Sequence, residues 1–195
     1  MTTLRFDLYY RREGTHPVKF GDQPVILGLD ELMGLRERFH RSLDRRFADA
    51  LLGYAWVLEF GRERGFHIHY LVMLNPTGLD DDLTLVDMLE TKWTALTQER
   101  GEFHSANRRK HEFKYPAMGL VRLDDPQVVT GLQFIVSYMT LAPLFVKLDI
   151  QDRYDTFAKG RFPALSALPP GHPGRRPSRI KISVEEAVAR RLTFI

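Results

Sequence analysis

Phe66-His67-Ile68-His69-Tyr70 places two imidazoles on alternate residues of a run rich in β-branched and aromatic side chains. Side chains alternate across a strand, so His67 and His69 share one face while Phe66, Ile68 and Tyr70 take the other. Two neutral imidazoles side by side on a rigid sheet form a chelating pair for a divalent metal. An isolated His-x-His is more simply read as a polar strand face. Glu59 strengthens the metal reading. It lies near the end of YAWVLEF (54–60), which the glycine-bounded GRERG separates from FHIHYLVML (66–74), the pattern of an antiparallel hairpin. The hairpin sets Glu59 and His67 on facing strands within a residue or two of register, about 5 Å apart at Cβ. A glutamate in an otherwise apolar strand is costly without a partner. Two histidines and one carboxylate leave positions open for water or substrate, as a catalytic metal site requires.

Tyr138, in QFIVSYMTLAP, is the third element. A phenol with a pKa of about 10 is a poor nucleophile unless a metal or base prepares the reaction. Alone, a tyrosine in an apolar helix is core packing. Other groups are weaker. His104 and His111 flank Asn107-Arg108-Arg109-Lys110 and read as part of a solvated loop. Asp80-Asp81-Asp82 suits a helix start and needs no metal.

The elements that must position these groups follow from periodicity. LRFDLYY (4–10) reads as a first strand. A helix over 30–52, with Asp30 as N-cap and Gly53 as its stop, repeats Leu32, Leu35, Phe39, Leu43, Phe47 and Leu51 at helical spacing. A second helix fits 80–100, with Leu85, Met88, Leu89, Trp93 and Leu96 along one face. Residues 113–123 predict a strand, weakened by Pro116 and Gly119 and so placed at an edge. A third helix covers 128–142 and stops before Pro143, and LFVKLDI (144–150) reads as a short strand. The order β-α-β-β-α-β-α predicts an α+β domain, an antiparallel sheet flanked by helices, over residues 1–162. Residues 163–195 read as a proline-rich basic tail with a short final helix capped by Ser183.

With 195 residues, 44% of them hydrophobic and 27% charged, the chain suits one globular domain. No apolar run approaches the roughly 20 residues of a membrane span, and the N-terminus is too charged for a signal peptide, so the cytoplasm is expected. The absence of cysteine excludes disulfides, thiolate metal sites and cysteine nucleophiles. A net charge of +3 says little, but its distribution is uneven. Acidic residues cluster at 78–90, and basic ones at Arg108–Lys110 and between Lys159 and Lys181, where they suit phosphates.

A strand with His-hydrophobic-His, a carboxylate on the preceding strand and a later helix bearing a tyrosine together resemble the HUH endonucleases, which include rolling-circle replication initiators and relaxases. YAWVLEFGRERGFHIHYLVMLN looks most like the replication-initiator domain of filamentous phages (inovirus type). Lys92-Trp93 and Phe157-Ala158-Lys159-Gly160-Arg161-Phe162 match further family patterns, and the resemblance spans roughly residues 50–165. It implies a ferredoxin- or RRM-like sheet on which Glu59, His67 and His69 hold Mg²⁺ or Mn²⁺ against a scissile phosphate. Tyr138 would attack, leaving a 5′-phosphotyrosine link and a free 3′-hydroxyl. Arg108, Arg109, Lys110, Lys147, Lys159, Arg161, Arg175 and Arg176 would guide single-stranded DNA or a hairpin at a replication origin, alongside host replication proteins and away from any membrane. Exposed aromatics would add stacking. One position departs from the pattern: Leu141 stands where initiators of this type carry a lysine, three residues after the nucleophile. Lys147, beyond Pro143, would replace it only if the chain folded back. A non-cutting DNA-binding relative therefore stays open. A cupin-like metalloenzyme fits poorly, because no carboxylate follows His69 closely and the long helices do not suit a β-barrel.

Overall fold

The computed structural model describes residues 1–10, 28–61, 65–147 (backbone alone for 141–147) and 154–160. The proline-rich tail, its proposed final helix and the hairpin tip at 62–64 lie outside the described residues, as do Arg161, Arg175 and Arg176.

Strands β1 (Thr2–Tyr10), β2 (Leu51–Gly61), β3 (Gly65–Leu74), β4 (Gly101–Ser105) and β6 (Phe157–Lys159) form one antiparallel sheet in the order β4-β1-β3-β2-β6, and the short β5 (Gly119–Leu120) pairs with β1. Helices α1 (Leu29–Phe47), α2 (Asp82–Thr97) and α3 (Pro126–Lys147) flank it. The α+β architecture with an antiparallel sheet is as the sequence predicts.

Two faces with different jobs follow from the strand pleat. Leu4, Phe6 and Leu8 of β1, Trp56 and Leu58 of β2, and Ile68 and Tyr70 of β3 turn toward α1 and α2 and form the main core. Phe6 stacks on Tyr70 with ring centres 5.3 Å apart, and the Phe39 ring of α1 meets both edge-on. Helix α1 buries Leu32, Leu35, Phe39, Leu43 and Phe47 at three- to four-residue spacing, with acids in its first turn and arginines in its last, which suits the helix dipole. On the opposite face, Val57, Leu71 and Met139 make a small cluster beneath α3, with Tyr138 packed against it. The alternate residues of β1, β2 and β3 that face this side include Arg5, Asp7, Glu59, His67 and His69.

Several predicted boundaries move. Helix α1 begins after Gly28, without a side-chain cap from Asp30, and ends at Phe47. Leu51 and Gly53 belong to β2, where the β2–β3 register shifts between them. Leu51 continues the helical spacing but fits a strand equally, and glycine within a strand marks an irregularity rather than a stop. The β4 strand was not anticipated: Gly101–Ser105 is short and only Phe103 is buried, so its alternation is easily taken for loop. Within 113–123 only Gly119–Leu120 is strand, and Asn107–Glu112 just before it forms a 3-10 helix. Helix α3 runs through Pro143 to Lys147, so residues 144–147 are helical rather than extended.

The acidic and basic clusters meet each other. Arg108 bridges Asp87 (2.6 Å) and Glu90 on α2, Arg109 pairs with Glu112 at 2.5 Å, and Lys110 reaches both oxygens of buried Asp82 at 2.7 and 2.9 Å. These three cations, expected to guide DNA, have acidic partners within the fold: α2 brings carboxylates of 82–90 beside Arg108 and Lys110, and Glu112 follows Arg109 one turn along its own 3-10 helix. Asp81 caps α2, accepting bonds from the Leu83 and Thr84 amides.

Asn107 ties these parts to β1. It is 1% exposed, and its amide donates to Thr3 O and Asp82 Oδ2 while its oxygen accepts from the Arg5 amide. Asn107→Ala strands buried donors and acceptors and is expected to cost about 2–4 kcal/mol. A denaturant midpoint unchanged from the parent chain would contradict this role.

Candidate metal centre

The β2–β3 ladder pairs Glu59 with His67, and β1–β3 pairs Asp7 with His69 and Tyr9 with His67. Three adjacent strands thus deliver five side chains to one patch. Glu59, His67 and His69 are 6%, 6% and 3% exposed, and each offers a ligand atom within 4.8 Å of the other two. Among the described residues this is the one such group.

Second contacts decide which nitrogen each imidazole presents. His69 Nδ1–H donates to Asp7 Oδ1 at 2.5 Å, which turns Nε2 toward Glu59 Oε2 at 2.8 Å. Arg5 lies 2.9 Å from the same Asp7 oxygen. Its guanidinium also approaches His69 Nδ1 at 3.2 Å, but both of those nitrogens are donors, so Asp7 is the partner that binds. His67 Nδ1–H donates to the Gly65 carbonyl at 3.0 Å, and its ring stacks on Tyr9 at 4.9 Å. Both histidines are thereby oriented with Nε2 inward. A carboxylate or carbonyl behind the imidazole is the usual support of a metal-ligating histidine. The donor set, two nitrogens and one carboxylate oxygen, therefore fits a divalent cation.

Tyr138 completes the patch. Its hydroxyl donates to Glu59 Oε2 at 3.0 Å and lies 3.3 Å from His69 Nε2, while the Arg5 guanidinium sits 5.6 Å from its ring centre. The sequence-predicted set of His67, His69, Glu59 and Tyr138 is gathered in one place. Asp7 and Arg5 were missed. Both stand in a strand too mixed to single them out, and only pairing with β3 reveals them; the signal available was an Arg-x-Asp alternation on one strand face. Lys159 lies on β6, opposite Ala55. Lys147 is on the same helix as Tyr138 and needs no folding back, yet nine helical residues turn it through about half a circle and carry it ~13.5 Å along the axis. That register does not suit a substitute for the missing lysine at 141.

The charges are strongly coupled. Burial by itself opposes ionisation of Glu59, but the bond from His69 and both imidazoles outweigh it and hold its pKa at about 2. Asp7 is likewise held well below the carboxylate range, because Arg5 and His69 overcome the cost of burial. For His69, burial disfavours the charged ring, yet Asp7 and Glu59 raise its pKa above the ordinary value. His67 is lowered by burial and by the neighbouring His69 charge, so it stays neutral with a free Nε2 lone pair. Tyr138 is pushed up, first by burial and then by the Glu59 charge. Without metal, a proton on His69 thus bridges two carboxylates.

The fold and the site together define an α+β domain with a buried Glu-His-His cluster that could hold a metal ion and an adjacent phenol. No family model matches the chain, and no characterised protein or solved structure matches it either. Among the described residues no helix is long and apolar enough to cross a membrane.

Three outcomes follow from this electrostatics. A divalent ion bound at this cluster would displace the His69 Nε2 proton, so affinity for Mn²⁺ as a probe should rise with pH, with release of about one proton per ion near pH 6. Calorimetry in buffers of different ionisation heat measures that number, and zero would refute the protonated bridge. Asp7→Asn should weaken Mn²⁺ binding about 10- to 100-fold. In the metal-free chain, the depressed Glu59 and Asp7 stabilise the fold above their unfolded pKa values, about 4, and lose that contribution as pH falls toward 2. Glu59→Gln should flatten the acid limb of a stability–pH curve; an unaltered limb would show that Glu59 is not held so low.

Proposed function

We propose that this chain is a metal-dependent endonuclease of the HUH, replication-initiator type, which nicks single-stranded DNA and keeps its 5′ end on Tyr138. The observation that carries the reading is the Tyr138 hydroxyl 3.0 Å from Glu59, inside a buried Glu-His-His ligand set. A phenol is rarely placed there for packing, since its oxygen meets an ionised carboxylate.

Glu59 and the Nε2 atoms of His67 and His69 would hold Mn²⁺ or Mg²⁺. A cation held there supplies positive charge to the non-bridging oxygens of a bound phosphate. Two nitrogen ligands favour Mn²⁺, because Mg²⁺ prefers an all-oxygen shell. Tyr138 Oη forms a bond to phosphorus as the bond from phosphorus to the 3′ oxygen breaks. The phenol proton leaves through Glu59 Oε2 or solvent and the 3′ oxygen gains one, so the exchange consumes no water and is reversible by the 3′-hydroxyl. Burial and the Glu59 charge both keep the phenol protonated in the metal-free chain, and a cation held by Glu59 would offset the second of these. Asp7 and the Gly65 carbonyl hold both imidazoles in the ligating orientation, and Arg5 adds positive charge beside the phenol ring.

A second reading, a relative that binds DNA without cutting it, is favoured by Leu141 in place of the lysine of this motif. Incubation with single-stranded DNA and Mn²⁺ followed by denaturing electrophoresis separates the two. The nuclease yields a covalent adduct, abolished by excess chelator and reduced by several orders of magnitude in Tyr138→Phe, with Mn²⁺ binding retained. Binding with no adduct under any metal would leave the second reading standing alone.

A further inference from the structure

Phe157 is the one aromatic among the exposed large hydrophobic side chains of the described residues, at 36% exposure. Strand β6 pairs Phe157 with Val57, Ala158 with Trp56 and Lys159 with Ala55. The pleat therefore sorts them. Ala158 packs into the main core with Trp56, while Phe157 and Lys159 face the side that carries Glu59, His67 and His69. Phe157 stands opposite fully buried Val57, yet it is among the exposed large hydrophobic side chains. Glu59 is two residues beyond Val57 on the same face, so Phe157 is its diagonal neighbour, about 7–8 Å away between backbones. Lys159 follows about 7 Å farther along the edge and makes no ion pair among the described residues. Edge strands commonly carry lysine to discourage strand pairing, and that explains Lys159 alone. An exposed ring beside it on a sheet edge works against such protection and calls for another use.

We propose that Phe157 and Lys159 form a ledge that positions the single strand beside the metal centre, the ring stacking one base and the ammonium holding a backbone phosphate. This rests on the nuclease reading above. A phenyl face stacks any base, and a lone flexible ammonium meets a phosphate without reading sequence, so the ledge fixes the path of the strand rather than its identity. Tyr9 cannot share this task, because its ring already stacks on His67 and is 4% exposed.

The test uses the full chain carrying Tyr138→Phe, so that no cleavage intervenes, and oligothymidylate containing a single 2-aminopurine moved base by base along it. The expected result is binding with a fluorescence change confined to one position. Phe157→Leu, which keeps apolar bulk without a π-face, should weaken binding about tenfold and erase that change, and Phe157→Trp should restore both. Lys159→Ala should keep the fluorescence change while lowering the salt dependence of binding by about one phosphate contact, a slope change of ~0.7. Unaltered affinity and fluorescence in Phe157→Leu would overturn the ledge and leave the nuclease reading in place. A parent chain that binds no single strand at all would remove both. Equal losses in the leucine and tryptophan variants would assign Phe157 a role in folding and likewise overturn the ledge.

Discussion

The buried bridge from Asp7 through the His69 ring to Glu59 crosses three strands, and the rest of the site depends on it. Each contact is set by ladder register: Asp7 lies opposite His69 on β1, and Glu59 lies opposite His67 on β2. A slip of one residue in either ladder would turn the carboxylate to the opposite face and leave an imidazole buried without its support. The aromatic and aliphatic residues on the far side of the same strands enforce that register, since Phe6, Ile68, Tyr70 and Leu58 must all reach the α1–α2 core together. Apolar packing on one face therefore fixes polar geometry on the other.

The two faces also divide the cost of function. Placing two carboxylates, two imidazoles and a phenol in a dry patch is unfavourable unless each is bonded, and here each polar group has a partner. The small Val57–Leu71–Met139 cluster seats Tyr138 against the sheet without drawing its hydroxyl into the apolar layer. Elsewhere the charges cancel. Among the described residues, the acidic stretch of α2 meets Arg108 and Lys110 after β4, so this part of the uneven charge becomes internal ion pairing.

The candidate site was unusually legible for a chain of this composition, and the reasons lie in particular residues. His67 and His69 advertise themselves because alternation in a strand is a rigid rule, and the short glycine-bounded loop brings Glu59 to them with little freedom of register. Tyr138 could be named only through resemblance, since a tyrosine in an apolar helix has no local mark of chemistry. Asp7 and Arg5 stayed hidden for a related reason: their role appears only when β1 inserts between β3 and β4, a topological choice that no local pattern encodes. Errors at Leu51, Gly53 and Pro143 came from residues whose apolar or backbone character serves two conformations.

Local sequence by itself determined the hairpin, the three amphipathic helices, the shared face of the two imidazoles and the lack of any thiol chemistry, because periodicity and composition act over a few residues. Tertiary structure alone decided which nitrogen each histidine presents, which carboxylate supports it, where the phenol ends and which cations are already neutralised. Those properties depend on distances between groups far apart in the chain, and only the folded sheet, with its register and its burial, sets them.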